Sequence, residues 1–276
     1  MYPAIFSRTY PSQRISDVLQ AIQADGFRGA QMNLINFGME SLPEELDSDA
    51  LKTGCAEASR LGVRFAAFSG TYNMAHPDRG VREAIRPRFL QVLAAAQVMG
   101  TPIVTLCTGS RDAGNMWAAH SENTSMAAWA DLRAELDWAL AEAASRDLML
   151  AIEPEPGNVV RNAKVARTLL DEVNAPHLKI ILDAANLIGA EGLTHQSDIV
   201  AEVVGLLGSD IVLAHAKDID LSGKVVAPSQ GSIDLPAFVA ALASAGFDGA
   251  LVGHGFEARD SALAGQVLNA LCSGQT

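Results

Sequence analysis

Eight short apolar runs alternate with eight helix-length segments along this chain, at intervals of roughly thirty residues. The runs, read as strands, are 3–6, 29–34, 63–68, 103–107, 149–152, 179–182, 211–214 and 249–252. The segments between and after them, read as helices, are 15–22, 51–61, 81–99, 126–145, 163–173, 199–207, 234–245 and 261–271. Several helices stop at a glycine just before the next strand: Gly26, Gly62, Gly100 and Gly246. A strand, a helix and a second strand of such lengths make a parallel βαβ unit. Repeated over a chain of 276 residues, these units predict an α/β fold, a single (β/α)8 TIM barrel covering 1–276. An open doubly wound sheet would carry a glycine-rich phosphate loop after the first strand, and none is present.

Active sites of such barrels sit at the C-terminal ends of the strands. Strand five runs into Glu153, strand six into Asp183, strand seven into His215 and strand eight into His254. Any one of these alone reads as a helix cap or a water-facing polar group. Two carboxylates and two imidazoles on four consecutive strands read as a metal site: Glu153, Asp183, His215 and His254. That set suits Mn²⁺, Fe²⁺, Co²⁺ or Zn²⁺ better than Ca²⁺, which prefers oxygen alone. Manganese is expected first, with Co, Mg, Fe or Zn as alternatives.

The charge balance excludes several partners. Lys and Arg total 20 against 32 Asp and Glu, a net charge of −12, and no local basic patch offsets it. Binding to nucleic acid is therefore not expected. No apolar stretch of membrane-spanning length occurs, so no membrane is expected either. Cys55, Cys107 and Cys272 show no zinc or disulfide spacing, and the N-terminus has no secretory pattern, so a cytoplasmic location is expected.

The motifs AIEPEPGN, LDAANL and AHAKD, supported by SGTYNMAHPD and LCTGSRD, resemble the xylose-isomerase-like barrel superfamily of sugar and sugar-phosphate isomerases and epimerases. The order of elements is similar over essentially the whole chain. The resemblance implies that Glu153, Asp183 and His215 bind a divalent metal. It also implies a glutamate at the end of strand eight, where this chain has His254. Two further positions depart: Asn186 and Glu155 stand where many relatives have histidine. These departures bear on the two-glutamate epimerase mechanism, not on the barrel or the metal.

The implied chemistry is proton transfer next to a carbonyl through a metal-stabilised enediolate. Glu153, Glu155 and His254 are the candidate catalytic groups. His76, Arg111, Asn158, Asn186 and Lys217 are candidate substrate-binding residues; Arg111 would hold a carboxylate or phosphate. Each has a plainer reading: a loop-stabilising histidine, a surface arginine, turn asparagines. Trp117 and His120 sit in a long loop that could serve as a lid, and Asp218 is read as pairing with a neighbour or orienting a ligand.

The expected activity is that of a divalent-metal-dependent isomerase or epimerase of a small ketose, keto-sugar or polyol-ketone. The alternative is a metal-dependent lyase or dehydratase acting on a keto-sugar or keto-glycoside. An abasic-site nuclease would need more ligands and a different net charge, and the ligand set argues against a purely binding barrel. The partner is a small-molecule sugar, and a homodimer or homotetramer is expected because family members often pair.

Overall fold

The computed structural model describes residues 1–274. Eight parallel strands close into a barrel in the order β1-β10-β7-β6-β5-β4-β3-β2. They are β1 (Tyr2–Phe6), β2 (Gly29–Met32), β3 (Arg64–Ser69), β4 (Ile103–Cys107), β5 (Met149–Glu153), β6 (Leu178–Asp183), β7 (Ile211–Ala216) and β10 (Ala250–Gly253). Each falls on one of the apolar runs in the sequence. The short strands β8 (Asp218–Ile219) and β9 (Val225–Val226) form a separate antiparallel hairpin between β7 and β10. Two-residue strands carry no readable periodicity, and the sequence gives no sign of this hairpin.

Eight longer helices surround the barrel: α1 (Ile15–Ala24), α2 (Ser48–Leu61), α3 (Arg79–Val98), α4 (Met126–Ala144), α5 (Ala163–Val173), α7 (Gln196–Leu207), α8 (Leu235–Ser244) and α9 (Ser261–Ser273). Their apolar faces make the outer core. On α5, Ala163, Ala166, Leu169 and Leu170 face the sheet, each leucine contributing about 1.5–3 kcal/mol by burial. Gly62 closes α2 in the left-handed conformation at φ 67°, as a C-terminal glycine should. A one-turn helix, α6 (Ala184–Ile188), was not expected; Asp183 caps it by accepting the Asn186 N–H at 3.1 Å.

Inside the barrel, Ala4, Ala67, Ile103, Ala151, Ile181, Leu213, Ala250 and Val252 fill the lower layers. The two-residue period of a strand then sets what comes next on the same face. Ala151 leads to Glu153, Ile181 to Asp183, Leu213 to His215 and Val252 to His254. The polar layer at the top of the barrel is thus the direct continuation of its apolar plug.

A buried ion network fastens the third and fourth βα loops to α3 and α4. Glu135 accepts from Tyr72 Oη at 2.9 Å and from Arg86 Nη2 at 2.8 Å. Asp131 holds Arg82 at 2.7 Å and Arg111 at 2.6 Å.

Candidate active site

Glu153, Asp183 and His215 meet at the C-terminal mouth. Each offers one ligand atom, and the three atoms lie within 4.8 Å of one another. His215 Nδ1 is 3.4 Å from Glu153 Oε2 and 3.8 Å from Asp183 Oδ2. Each residue's other atoms are already committed. Glu153 Oε1 accepts from Asn186 Nδ2 at 2.6 Å, Asp183 Oδ1 caps α6, and His215 Nε2 faces Gln31 Oε1 at 2.8 Å. Asp183 Oδ2 and His215 Nδ1 remain buried without a hydrogen-bond partner. Lys217 Nζ stands 2.9 Å from Asp183 Oδ2, an ion pair without hydrogen-bond alignment.

These orphaned atoms fit a divalent cation. Two carboxylates and one imidazole are the donor set of Mn²⁺, Fe²⁺, Co²⁺ or Zn²⁺ sites, and buried polar atoms are rarely left unpaired without a reason. The electrostatics agree. Burial opposes a charge on Asp183, yet Lys217 and His215 hold its carboxyl well below the usual range. Burial also opposes a charge on His215, but Glu153 and Asp183 push it up to about 9. His215 therefore carries a proton that a bound ion would displace.

The site opens into a cavity of about 320 Å³ lined by, among others, Arg8, Gln31, Trp117, Glu155 and His254. Burial and the neighbouring Glu153 charge raise Glu155 to about 8, keeping it protonated near neutrality. His254 lines the cavity but stands outside the three-residue cluster. Its ring lies 4.9 Å from that of His215 and edge-on to Phe6 at 5.2 Å. Burial and the charge of His215 lower it to about 4, so it is a neutral imidazole, and its Nδ1 is buried without a partner.

Three of the candidate substrate-binding residues are held by the scaffold, away from the cavity lining. His76 Nδ1 accepts the Asp78 N–H at 3.0 Å, within the turn that opens α3. Arg111 is held by Asp131 and by the Ala75 carbonyl at 3.2 Å. Asn158 accepts the Gly109 N–H at 2.8 Å and donates to the Met116 carbonyl at 3.1 Å, so it ties down the loop that carries Trp117. His120 caps the turn Ser121–Thr124. Asn186 and Lys217 do reach the site, with the Lys217 ammonium donating to Asn186 Oδ1. Asp218 points away from His215 and accepts the N–H groups of Ile219, Gly231 and Ile233.

Gln31 was missed by sequence reasoning. The register of β2 against β3 shifts between Ala30 and Gln31. Such a bulge re-aims a side chain, and here Gln31 Oε1 reaches His215 across the barrel while Gln31 Nε2 donates to Thr105 Oγ1 at 3.2 Å.

No curated protein sequence matches the chain significantly. Solved structures do. The 3-keto-D-glucoside 4-epimerase of E. coli superposes with a TM-score of 0.78 at 15% identity, covering 98% of this chain and 99% of that one. A structure titled IOLI protein with a binding zinc atom gives 0.73 at 17%, covering 100% and 99%. A xylose isomerase-like TIM barrel/4-hydroxyphenylpyruvate dioxygenase fusion protein gives 0.74 at 18%; there the match covers 96% of this chain but 42% of the fusion protein. At such identities the likeness is one of fold. The model of the xylose isomerase-like TIM barrel family matches residues 19–271, which hold seven of the eight barrel strands and the four strand ends that carry Glu153, Asp183, His215 and His254, and the chain belongs to that family.

Proposed function

We propose that the protein is a divalent-metal-dependent isomerase or epimerase of a small keto-sugar or polyol-ketone. The observation that carries this reading is the convergence of Glu153, Asp183 and His215, with two orphaned ligand atoms, at the floor of a sugar-sized cavity. A divalent ion held by these three residues, manganese being the first choice, would polarise the carbonyl and hydroxyl oxygens of a keto-sugar and ease removal of the adjacent proton.

The chain's own groups do the rest. Glu155 faces the cavity with its affinity for a proton raised to about 8, which suits a group that takes and returns a proton near neutral pH. Lys217, anchored between Asp183 and Asn186, adds positive charge beside the reacting oxygens. Gln31 orients His215, and Trp117, half-exposed at the rim, covers the mouth.

One observation favours a second reading, a lyase or dehydratase on a keto-sugar or keto-glycoside. Strand β10 supplies the neutral His254 and no carboxylate, so Glu155 has no acidic counterpart there. An elimination needs no symmetric pair. The small-molecule substrate, the cytoplasmic setting and a homodimeric or homotetrameric state belong to the same proposal.

The test is proton exchange in D₂O with Mn²⁺-loaded protein and a panel of ketoses, inosose-type ketones and 3-keto-glycosides. Deuterium next to a carbonyl, lost in Asp183→Ala, is expected. Unchanged product mass supports the isomerase, and loss of water or an aglycone supports the lyase. Full activity in Asp183→Ala would overturn the metal reading.

A further inference from the structure

Arg111, the sequence candidate for holding an anion, is spent on Asp131. The cavity has another guanidinium. Arg8 lies in the turn Ser7–Thr9, directly after β1, and lines the cavity mouth. The backbone beneath it is fixed. Ser7 is fully buried and its Oγ accepts the Asn33 N–H at 3.0 Å; the Tyr10 N–H bonds the Ser7 carbonyl at 3.0 Å; Tyr10 Oη donates to Asp25 at 2.7 Å. Two residues before Arg8, Phe6 packs against His254 on the cavity wall.

The side chain itself has no hydrogen-bond, ion-pair or ring partner among the described residues. That is unusual in this chain, where most arginines hold a carboxylate: Arg82, Arg86, Arg88, Arg111 and Arg167 are examples. Arg28 and Arg161 also lack a partner, but neither lines this cavity. In a protein of net charge −12, a guanidinium kept clear of carboxylates on a rigid turn is a group reserved for something else. The charge of the site points the same way. With Glu153 and Asp183 as anions, Lys217 and Arg8 as cations, and a divalent ion added, the loaded site carries two net positive charges, and still one where Glu155 is ionised. Such a site matches an anionic substrate better than a neutral one.

We propose that Arg8 receives an anionic group of the substrate, a carboxylate or a phosphate ester, so that the protein acts on acidic keto-sugars. This rests on the metal-site reading above and adds the substrate's second anchor. The ketone end lies over Glu153, Asp183 and His215, and the anionic end lies under Arg8 at the mouth.

The experiment is isothermal titration of Mn²⁺-loaded wild type, Arg8→Met and Arg8→Lys with three probes: D-fructose, D-fructose 6-phosphate and 2-keto-D-gluconate. At least one anionic probe is expected to bind about ten-fold tighter than fructose, the worth of one charge-assisted contact at a partly exposed site. Arg8→Met should erase that preference, and Arg8→Lys should keep part of it. Which anion wins identifies the carboxylate or the phosphate as the group held. Equal binding of all three probes, a preference that survives Arg8→Met, or no measurable binding of either anion would overturn the proposal. A Mn²⁺ titration without sugar separates the two readings. An ion that fails to bind removes the metal site; an ion that binds without any anion preference removes only the role of Arg8.

Discussion

Replacing Gln31 with leucine takes away the acceptor of His215 Nε2 while nearly conserving volume. For His215 to offer an Nδ1 lone pair to a cation, its proton must sit on Nε2. That nitrogen belongs to a residue 1% exposed, and the leucine side chain filling the Gln31 position would keep cavity water from it. A buried N–H left unpaired costs about 1–3 kcal/mol, equivalent to roughly a 5- to 150-fold loss of metal affinity. The metal-free protein escapes most of this cost. There the ring of the variant can give up its Nε2 proton and keep the one on Nδ1, 3.4 Å from Glu153 Oε2. The penalty therefore falls on ion binding and not on folding, and a loss of about ten- to a hundred-fold is expected. Competitive titration of Zn²⁺ or Mn²⁺ against a chelating dye measures it. Histidine ¹⁵N spectra of the metal-free and loaded protein report which nitrogen holds the proton. Gln31→Glu keeps an acceptor and should keep wild-type affinity or raise it. Affinity within two-fold of wild type in Gln31→Leu, or equal losses in both variants, would refute the reasoning.

Glu135→Ala strands the Arg86 guanidinium and the buried Tyr72 hydroxyl; urea unfolding should show a loss of about 2–4 kcal/mol, with metal affinity unchanged. Gly157→Ala would place a Cβ 2.0 Å from the Trp117 carbonyl, so the loop must shift; a raised KM and about 1–3 kcal/mol of destabilisation are expected, read by kinetics and thermal melts. Asp210 is pushed up by burial, but Arg167 and Lys179 outweigh this and hold its carboxyl below the usual range. Its folded pKa lies below the unfolded one, so its contribution is present above about pH 4 and disappears as pH falls through the folded value. The stability gap between wild type and Asp210→Asn, measured in urea, should close on acidification; a gap that widens would reverse the assignment.

The barrel was legible because each strand announces itself twice, by its apolar run and by the helix that must follow. The site was legible for a related reason. A residue two positions beyond an interior-facing one stays on that face, so Glu153, Asp183, His215 and His254 had to ring one mouth once the strands were placed. What period and spacing do not encode is pairing across the fold. Gln31 points at His215 through a register shift in β2, an event with no sequence signature. Arg111 meets Asp131 from the next helix, and Asn158 meets the loop at Gly109 and Met116. Both are polar residues near a mouth in the sequence, and both are used up by the scaffold.

The useful distinction among polar residues is therefore what remains after the fold has met its own needs. His76, Arg111, Asn158 and Asp218 lie close to the strand ends, yet their hydrogen bonds hold turns and loops together. Asp183 gives one oxygen to capping α6 and leaves the other with only the Lys217 ion pair; His215 gives Nε2 to Gln31 and keeps Nδ1; Arg8 has no partner among the described residues. A buried polar atom without a hydrogen bond costs folding free energy, and three such atoms, on Asp183, His215 and His254, stand at one barrel mouth. Scattered defects would not cluster on consecutive strand ends. Their cost is offset when something binds there, and the unspent atoms define its chemistry: a cation at the floor, a neutral imidazole on the wall, and an anion under the guanidinium at the rim.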